Sequence, residues 1–229
     1  MTATLPGHLD HLTDRVAALR QETAALHAHL PGNGLVVWTA GNVSQRLPGT
    51  DLFAIKGSGV PYDDLTADDM VVCDLDGRVV LGDRAPSSDT DAHAYVYRHR
   101  SDVGGQVHTH STYATAWAAR GEPIPCVLTM MADEFGGEIP VGPFALIGDD
   151  SIGRGIVATL QHSRSPAVLM QNHGVFTVGR TGRAAVKAAV MCEDVARTVH
   201  VARQLGSPLP IAADDVDRLF DRYQHAYGQ

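Results

Sequence analysis

Four side chains of this 229-residue sequence are of types that could together hold a divalent cation: Asp89, His108, His110 and His173. In a β-strand side chains alternate with period two, so the imidazoles of His108-Thr109-His110 would share one face. Two neutral imidazoles beside a carboxylate form a partial coordination shell for a divalent transition ion such as zinc. His173, in Gln171-Asn172-His173-Gly174, offers a further ligand at a strand-to-strand turn, provided that it folds back onto the first pair. A His-x-His pair alone carries little weight in a chain with twelve histidines, most of which must be surface or satisfied core residues. Asp89 alone reads equally well as a helix N-cap. The joint presence of all four, each beside residues suited to turns or strand ends, is the argument for a metal site.

Three small-residue segments could supply an anion pocket: Gly41-Asn42-Val43-Ser44, Lys56-Gly57-Ser58-Gly59, and Ser87-Ser88 at the head of a helix. Backbone N–H groups in glycine-rich turns, hydroxyls and a helix N-terminus favour a phosphate, and Lys56 can add charge. Each segment taken singly is no more than a turn. There is no Walker A sequence, no Gly-x-Gly-x-x-Gly opening a βαβ unit and no Gly-x-Ser-x-Gly nucleophile elbow. Nucleotide binding and α/β-hydrolase chemistry therefore lack support.

Elements able to position these groups can be read from hydrophobic periodicity. Leu9 to Leu30 reads as an amphipathic helix stopped by Pro31-Gly32. Leu35 to Trp38 and Asp51 to Ile55 read as short strands, and Lys56 to Gly59 leads to a helical turn in Leu65 to Asp69. Met70 to Asp74 and Arg78 to Leu81 read as a hairpin about Asp76-Gly77. Thr90 to Arg100 is a helix entering the His-Thr-His strand, Thr112 to Arg120 a second, and Pro123 to Thr129 a strand. Asp150 to Leu160 is helical, and Ala167 to Gln171 pairs with Val175 to Val178 across the Asn-His-Gly turn. A long helix from Thr181 to Leu205 and a last one from about Ala213 to Gln224 complete the chain. Strands in the middle with helices around them predict an α/β protein whose central mixed or mostly antiparallel sheet is covered by helices.

The length suits a single domain spanning residues 1–229. A formal net charge of −8 without a basic stripe argues against nucleic acid. No apolar run approaches a membrane span, and the N-terminal segment lacks the pattern of a secretory signal, so cytoplasmic residence is the expectation. Cys73, Cys126 and Cys192 show neither metal-ligand spacing nor an even count, and read as small buried residues.

Five motifs in order, Gly41-Asn42-Val43-Ser44, Lys56-Gly57-Ser58-Gly59-Val60, Pro86-Ser87-Ser88-Asp89-Thr90, His108-Thr109-His110-Ser111 and Asn172-His173-Gly174, resemble the class II sugar-phosphate aldolase and L-ribulose-5-phosphate 4-epimerase family. The resemblance runs from about Leu9 to Gln229. It implies a three-layer α/β/α fold with a central mixed, largely antiparallel sheet, a homotetramer with active sites at subunit interfaces, and a divalent metal, usually zinc, with manganese or cobalt as alternatives. By the same resemblance His108, His110 and His173 would be its ligands, with Asp89 the neighbouring carboxylate. Asn42, Ser58, Gly59, Ser87 and Ser88, with Lys56, would hold the phosphate of a sugar phosphate. Aldolases carry Glu where this chain has Asp89, whereas the epimerase branch carries Asp. Ala132-Asp133 and the terminal Tyr227-Gly228-Gln229 also resemble the epimerases, in which the residues matching Asp133 and Tyr227 are the acid/base pair, reaching the substrate from neighbouring subunits. Met130-Met131 depart from the epimerase pattern, which has Thr-His there, and a thioether cannot shuttle a proton. The resemblance therefore implies a metal-dependent C4 epimerase acting on L-ribulose 5-phosphate, with a class II aldolase as the alternative. A non-catalytic binding role on the same fold is a third class, against which the intact ligand set argues.

Overall fold

The computed structural model describes residues 5–226. Helices α1 (Thr13–His27) and α2 (His29–Gly32) precede strands β1 (Asn42–Arg46), β2 (Leu52–Lys56), β3 (Met70–Asp74) and β4 (Val79–Leu81). Then come α3 (Thr90–His99), β5 (Gly105–Thr109), α4 (Thr112–Arg120), α5 (Thr129–Phe135) and β6 (Val141–Gly142). The chain continues with α6 (Ser151–Leu160), β7 (Ala167–Met170), β8 (Gly174–Gly179), α7 (Gly182–Leu205) and α8 (Ala213–His225). Among the described residues the strands form one sheet in the order β4-β3-β2-β1-β5-β8-β7-β6, in which only the β6/β7 pair is parallel.

Period-two alternation divides the apolar residues of the strands between the two faces. Phe53, Ile55, Phe176 and Val178 join Ala92, Val96, Ile152 and Ile156 in the core under α3 and α6. On the opposite face Leu52 and Ala54 meet Leu12, Val16 and Leu19, while Val43 and Val107 meet Ala185, Val186 and Ala189 of α7. Farther along that face Leu169 and Val175 meet Trp117 of α4 and Phe135 of α5, with Val195 of α7. The expected three-layer α/β/α arrangement with a largely antiparallel sheet is what forms.

Three local expectations are corrected. Leu35 to Trp38 is not a strand: Leu35 closes α2 by donating its N–H to the Leu30 carbonyl at 2.9 Å, and Trp38 sits at φ 59°, a left-handed value that ends extended pairing. The strand lies one segment later, at Asn42–Arg46, where the inward side chains of Asn42 and Ser44 are polar and hide the usual apolar signal. Pro123 to Thr129 contributes only an isolated bridge between Ile124 and Ile139, and α5 begins at Thr129. Of the cysteines, Cys73 and Cys192 are buried, whereas Cys126 is only half-buried.

One buried histidine ties the N-terminal helix to the sheet. His27 Nδ1 donates to the Thr23 carbonyl at 2.7 Å, and its Nε2 accepts from the Val43 N–H at 2.9 Å. Both ring nitrogens are thereby committed to the neutral form, and burial pushes the pKa down to about 3. An unfolded histidine titrates near 6.5, so between these values the unfolded chain binds the extra proton. The His27 contribution is thus complete above about pH 6.5 and is lost as the pH falls towards 3. We predict that His27 alone costs about 2 kcal/mol of unfolding free energy between pH 7 and pH 5. Urea titrations at the two pH values should show a shallower pH dependence for His27→Gln, and an unchanged slope would contradict this account.

Candidate metal and anion site

The antiparallel pairing of β1 with β5 sets Asn42 opposite His108 and Ser44 opposite Gln106, so these four side chains share the sheet face beneath α3. His110 follows His108 by two residues, just beyond the end of β5. There the chain turns into α4, and the carboxylate of Glu193 on α7 accepts the N–H groups of Tyr113 and Ala114, each at 2.9 Å. These charge-assisted bonds satisfy two orphan donors of the first turn and fix the exit of the chain from the His-Thr-His segment.

His173 arrives from the turn between β7 and β8. Asn172 takes φ 57°, a left-handed value that Asn tolerates better than most residues. Gly174 lets the turn press against β5: a Cβ there would lie 2.5 Å from the Thr109 carbonyl oxygen and 2.8 Å from His110 Cδ2. Ring centroids are 4.6 Å apart for His108 and His110, 4.7 Å for His108 and His173, and 5.3 Å for His110 and His173. Phe176, opposite His108 in the sheet, stacks on its ring at 4.1 Å.

The donor set fits a divalent ion. His108 Nδ1 lies 2.9 Å from the Val175 carbonyl, which can only accept, so the proton is on Nδ1 and the Nε2 lone pair points 2.8 Å from His110 Nε2. His173 Nδ1 is buried with no hydrogen-bond partner among the described residues. One ligand nitrogen from each of the three rings lies within 4.8 Å of the others. Burial drives the His108 pKa down to about 3 and lowers those of His110 and His173 as well, against the opposing charge of Asp89. All three rings are therefore neutral at physiological pH, the form that ligates a metal.

Asp89 is not part of this nitrogen group. Its Oδ2 accepts from Asn42 Nδ2 at 2.7 Å and from Ser87 Oγ at 3.4 Å. Burial would raise its pKa, but His108, His93, the Asn42 amide and His173 together hold the carboxyl below its usual range. The anion segments converge on the same place. The Ser58 N–H donates to the Ala85 carbonyl, the Ser87 N–H to the Lys56 carbonyl, and Gly57 and Pro86 form a β-bridge. Lys56 is buried, with Nζ donating to the Thr39 carbonyl at 3.2 Å and lying 5.3 Å from the Tyr62 ring centre. Burial lowers its pKa, and the charge of Asp69 partly opposes this.

Together these residues enclose a cavity of 210 Å³, lined by Asn42, Lys56 to Gly59, Ser87 to Asp89 and the three histidines. Ser58, Gly59 and Ser88 form its exposed rim. Asp133 is elsewhere in the chain, half-buried on α5 and outside the cavity lining, while Tyr227 lies beyond the described residues. Sequence reasoning missed Thr39, Ala40 and Ile147 in the lining. The first two adjoin a recognised motif, but nothing around Ile147 marks it.

The family model for the class II aldolase and adducin N-terminal domain matches residues 21–200. The chain belongs to this family. Among solved structures, this class II aldolase-family chain is similar to an L-fuculose 1-phosphate aldolase, with 28% identity and a TM-score of 0.85 over 90% of this chain and 96% of that one. It is similar to YgbL from Klebsiella pneumoniae, a candidate aldolase/epimerase/decarboxylase, with 29% identity and a TM-score of 0.79 over 89% and 98% of the two chains. An L-fuculose-1-phosphate aldolase from Thermus thermophilus matches at 25% identity and a TM-score of 0.69, over 86% and 99%. Class II aldolases are divalent-metal enzymes, and the imidazole group of this one can hold such an ion. Among the described residues no helix is long and apolar enough to cross a membrane.

Proposed function

We propose that this class II aldolase-family enzyme inverts C4 of a ketopentose 5-phosphate, converting L-ribulose 5-phosphate to D-xylulose 5-phosphate by retro-aldol cleavage and re-addition. The observation that carries the reading is a single cavity in which the imidazole triad, a buried carboxylate and three anion-binding segments meet. A divalent ion, zinc or else manganese or cobalt, held by His108, His110 and His173 would supply Lewis-acid stabilisation of the enediolate that bond cleavage leaves on C2 and C3.

The chain's own groups account for the remaining steps. The hydroxyls of Ser58, Ser87 and Ser88, the Gly59 backbone and the Lys56 ammonium bind the phosphate. Asn42 holds the Asp89 carboxylate by a hydrogen bond, and that carboxylate would face the reacting carbons. As the C4 hydroxyl proton passes to a base, the C3–C4 electron pair moves into the enediolate and C4 becomes the aldehyde carbon of glycolaldehyde phosphate. The phosphate contacts keep that fragment from leaving, it turns its other face, and the bond re-forms with C4 inverted. Asp133 and Tyr227 of neighbouring subunits in a homotetramer would exchange the C4-oxygen proton on the two faces.

Two observations favour a second reading, net aldol cleavage. Met130-Met131 replace a polar pair beside Asp133, and the similarity to L-fuculose 1-phosphate aldolase spans nearly both chains. An NMR time course with L-ribulose 5-phosphate and the zinc-loaded protein separates them. D-Xylulose 5-phosphate is expected; accumulation of glycolaldehyde phosphate would establish the lyase, and an unchanged substrate would refute turnover of this sugar by either route.

A further inference from the structure

A row of buried polar groups runs away from the cavity, and nothing in the proposed chemistry uses it. Asp89, His93 and Tyr97 recur every four residues along α3 and so share one face of the helix. That face lies on β1, where Ser44 Oγ is 2.7 Å from His93 Nδ1 and 2.8 Å from the Tyr97 hydroxyl. Gln106, opposite Ser44 on β5, donates its amide to the His93 carbonyl at 2.9 Å. None of Ser44, His93, Tyr97 and Gln106 lines the cavity.

The protons in this row can be ordered. The Tyr97 hydroxyl is buried against Ser44 Oγ, so its proton goes there, and the Ser44 proton in turn goes to His93 Nδ1. A ring that accepts at Nδ1 and is neutral carries its proton on Nε2. Burial keeps it neutral, with the pKa pushed down to about 4. His93 Nε2 is fully buried and has no hydrogen-bond partner among the described residues, and Asp89, the N-cap of α3, stands one helical turn before it. Asp89 is already held by Asn42, whose own Oδ1 is buried and has no partner among the described residues.

We infer that His93 is a positioning residue for Asp89, and that the relay from Tyr97 through Ser44 locks it in the Nε2–H tautomer, with that N–H directed to the Asp89–Asn42 pair. The inference rests on Asp89 acting in the proposed reaction, but its geometry can be tested without turnover.

The test is a two-bond ¹H–¹⁵N histidine spectrum of the metal-free protein, with His93 assigned by its loss in His93→Gln. The wild type should show the Nε2–H form, and Tyr97→Phe, which removes the donor to Ser44, should raise the Nδ1–H population. Ser44→Ala, should Tyr97→Phe fold poorly, releases the same constraint. Tyr97→Phe should also lower kcat about tenfold with KM within twofold and zinc content unchanged, the signature of a misdirected rather than missing group. An Nδ1–H ring in the wild type would overturn the relay, as would a Tyr97→Phe enzyme with wild-type kcat. If the wild type turns over no sugar phosphate, the proposed function fails, and the tautomer result still decides the relay.

Discussion

His108→Ala should leave the enzyme without its equivalent of divalent metal and lower turnover at least about a thousandfold. His108 holds the central place in the triad. Its ring lies within 5 Å of both other imidazoles, packs on Phe176, and is fixed in tautomer by the Val175 carbonyl. The substitution removes a ligand, uncovers Phe176 and leaves a buried carbonyl oxygen with one fewer donor, so some loss of stability comes with it. Metal analysis beside thermal melts separates the effects. A site that binds zinc raises the melting temperature of the folded state by mass action, so added zinc should stabilise the wild type and not the variant. A His108→Ala protein that keeps both metal and turnover would rule out the triad.

The second large effect is expected at Asp89, where Asp89→Asn should cost about two to four orders of magnitude in kcat while metal content stays at the wild-type level. Asn can still accept the Asn42 amide hydrogen bond, so the loop and the helix start should persist. What disappears is the negative charge and the ability to take a proton. Asp89 shares the cavity with the imidazoles but is not one of the three residues whose ligand atoms lie within 4.8 Å of one another. Metal analysis and kcat measured on one preparation decide the matter: metal lost together with activity would make Asp89 a ligand, and full activity would remove it from the chemistry.

How far the site could be read in advance depended on the kind of signal each residue leaves. The three histidines stood out because imidazoles at period-two spacing and in an Asn-His-Gly turn are uncommon patterns with a direct chemical meaning. The Ser-Ser-Asp helix start was visible for the same reason. Strand β1 was misplaced because Asn42 and Ser44 point inward to meet Asp89 and His93, and a strand with a polar buried face lacks the alternation used to find strands. The apolar Val36-Val37-Trp38 run misled in the opposite direction, since Val37 and Trp38 are largely exposed on a turn. The helix at Thr129–Phe135 was missed because it is only seven residues long and its burial is decided by α8 and by the core around Trp117.

By itself the sequence determined the residue types, the periodicities of most helices and strands, and the five ordered motifs, all of which are local properties of the chain. Only the tertiary structure decided that His173, more than sixty residues beyond His108, closes the triad, that three separate candidate anion segments line one cavity, and that His93 meets Ser44 of β1. Those outcomes depend on strand order and register. Pairing β5 between β1 and β8 sets Asn42 on one side of His108 and Phe176 on the other, and a slip of one residue would turn every one of these side chains to the opposite face.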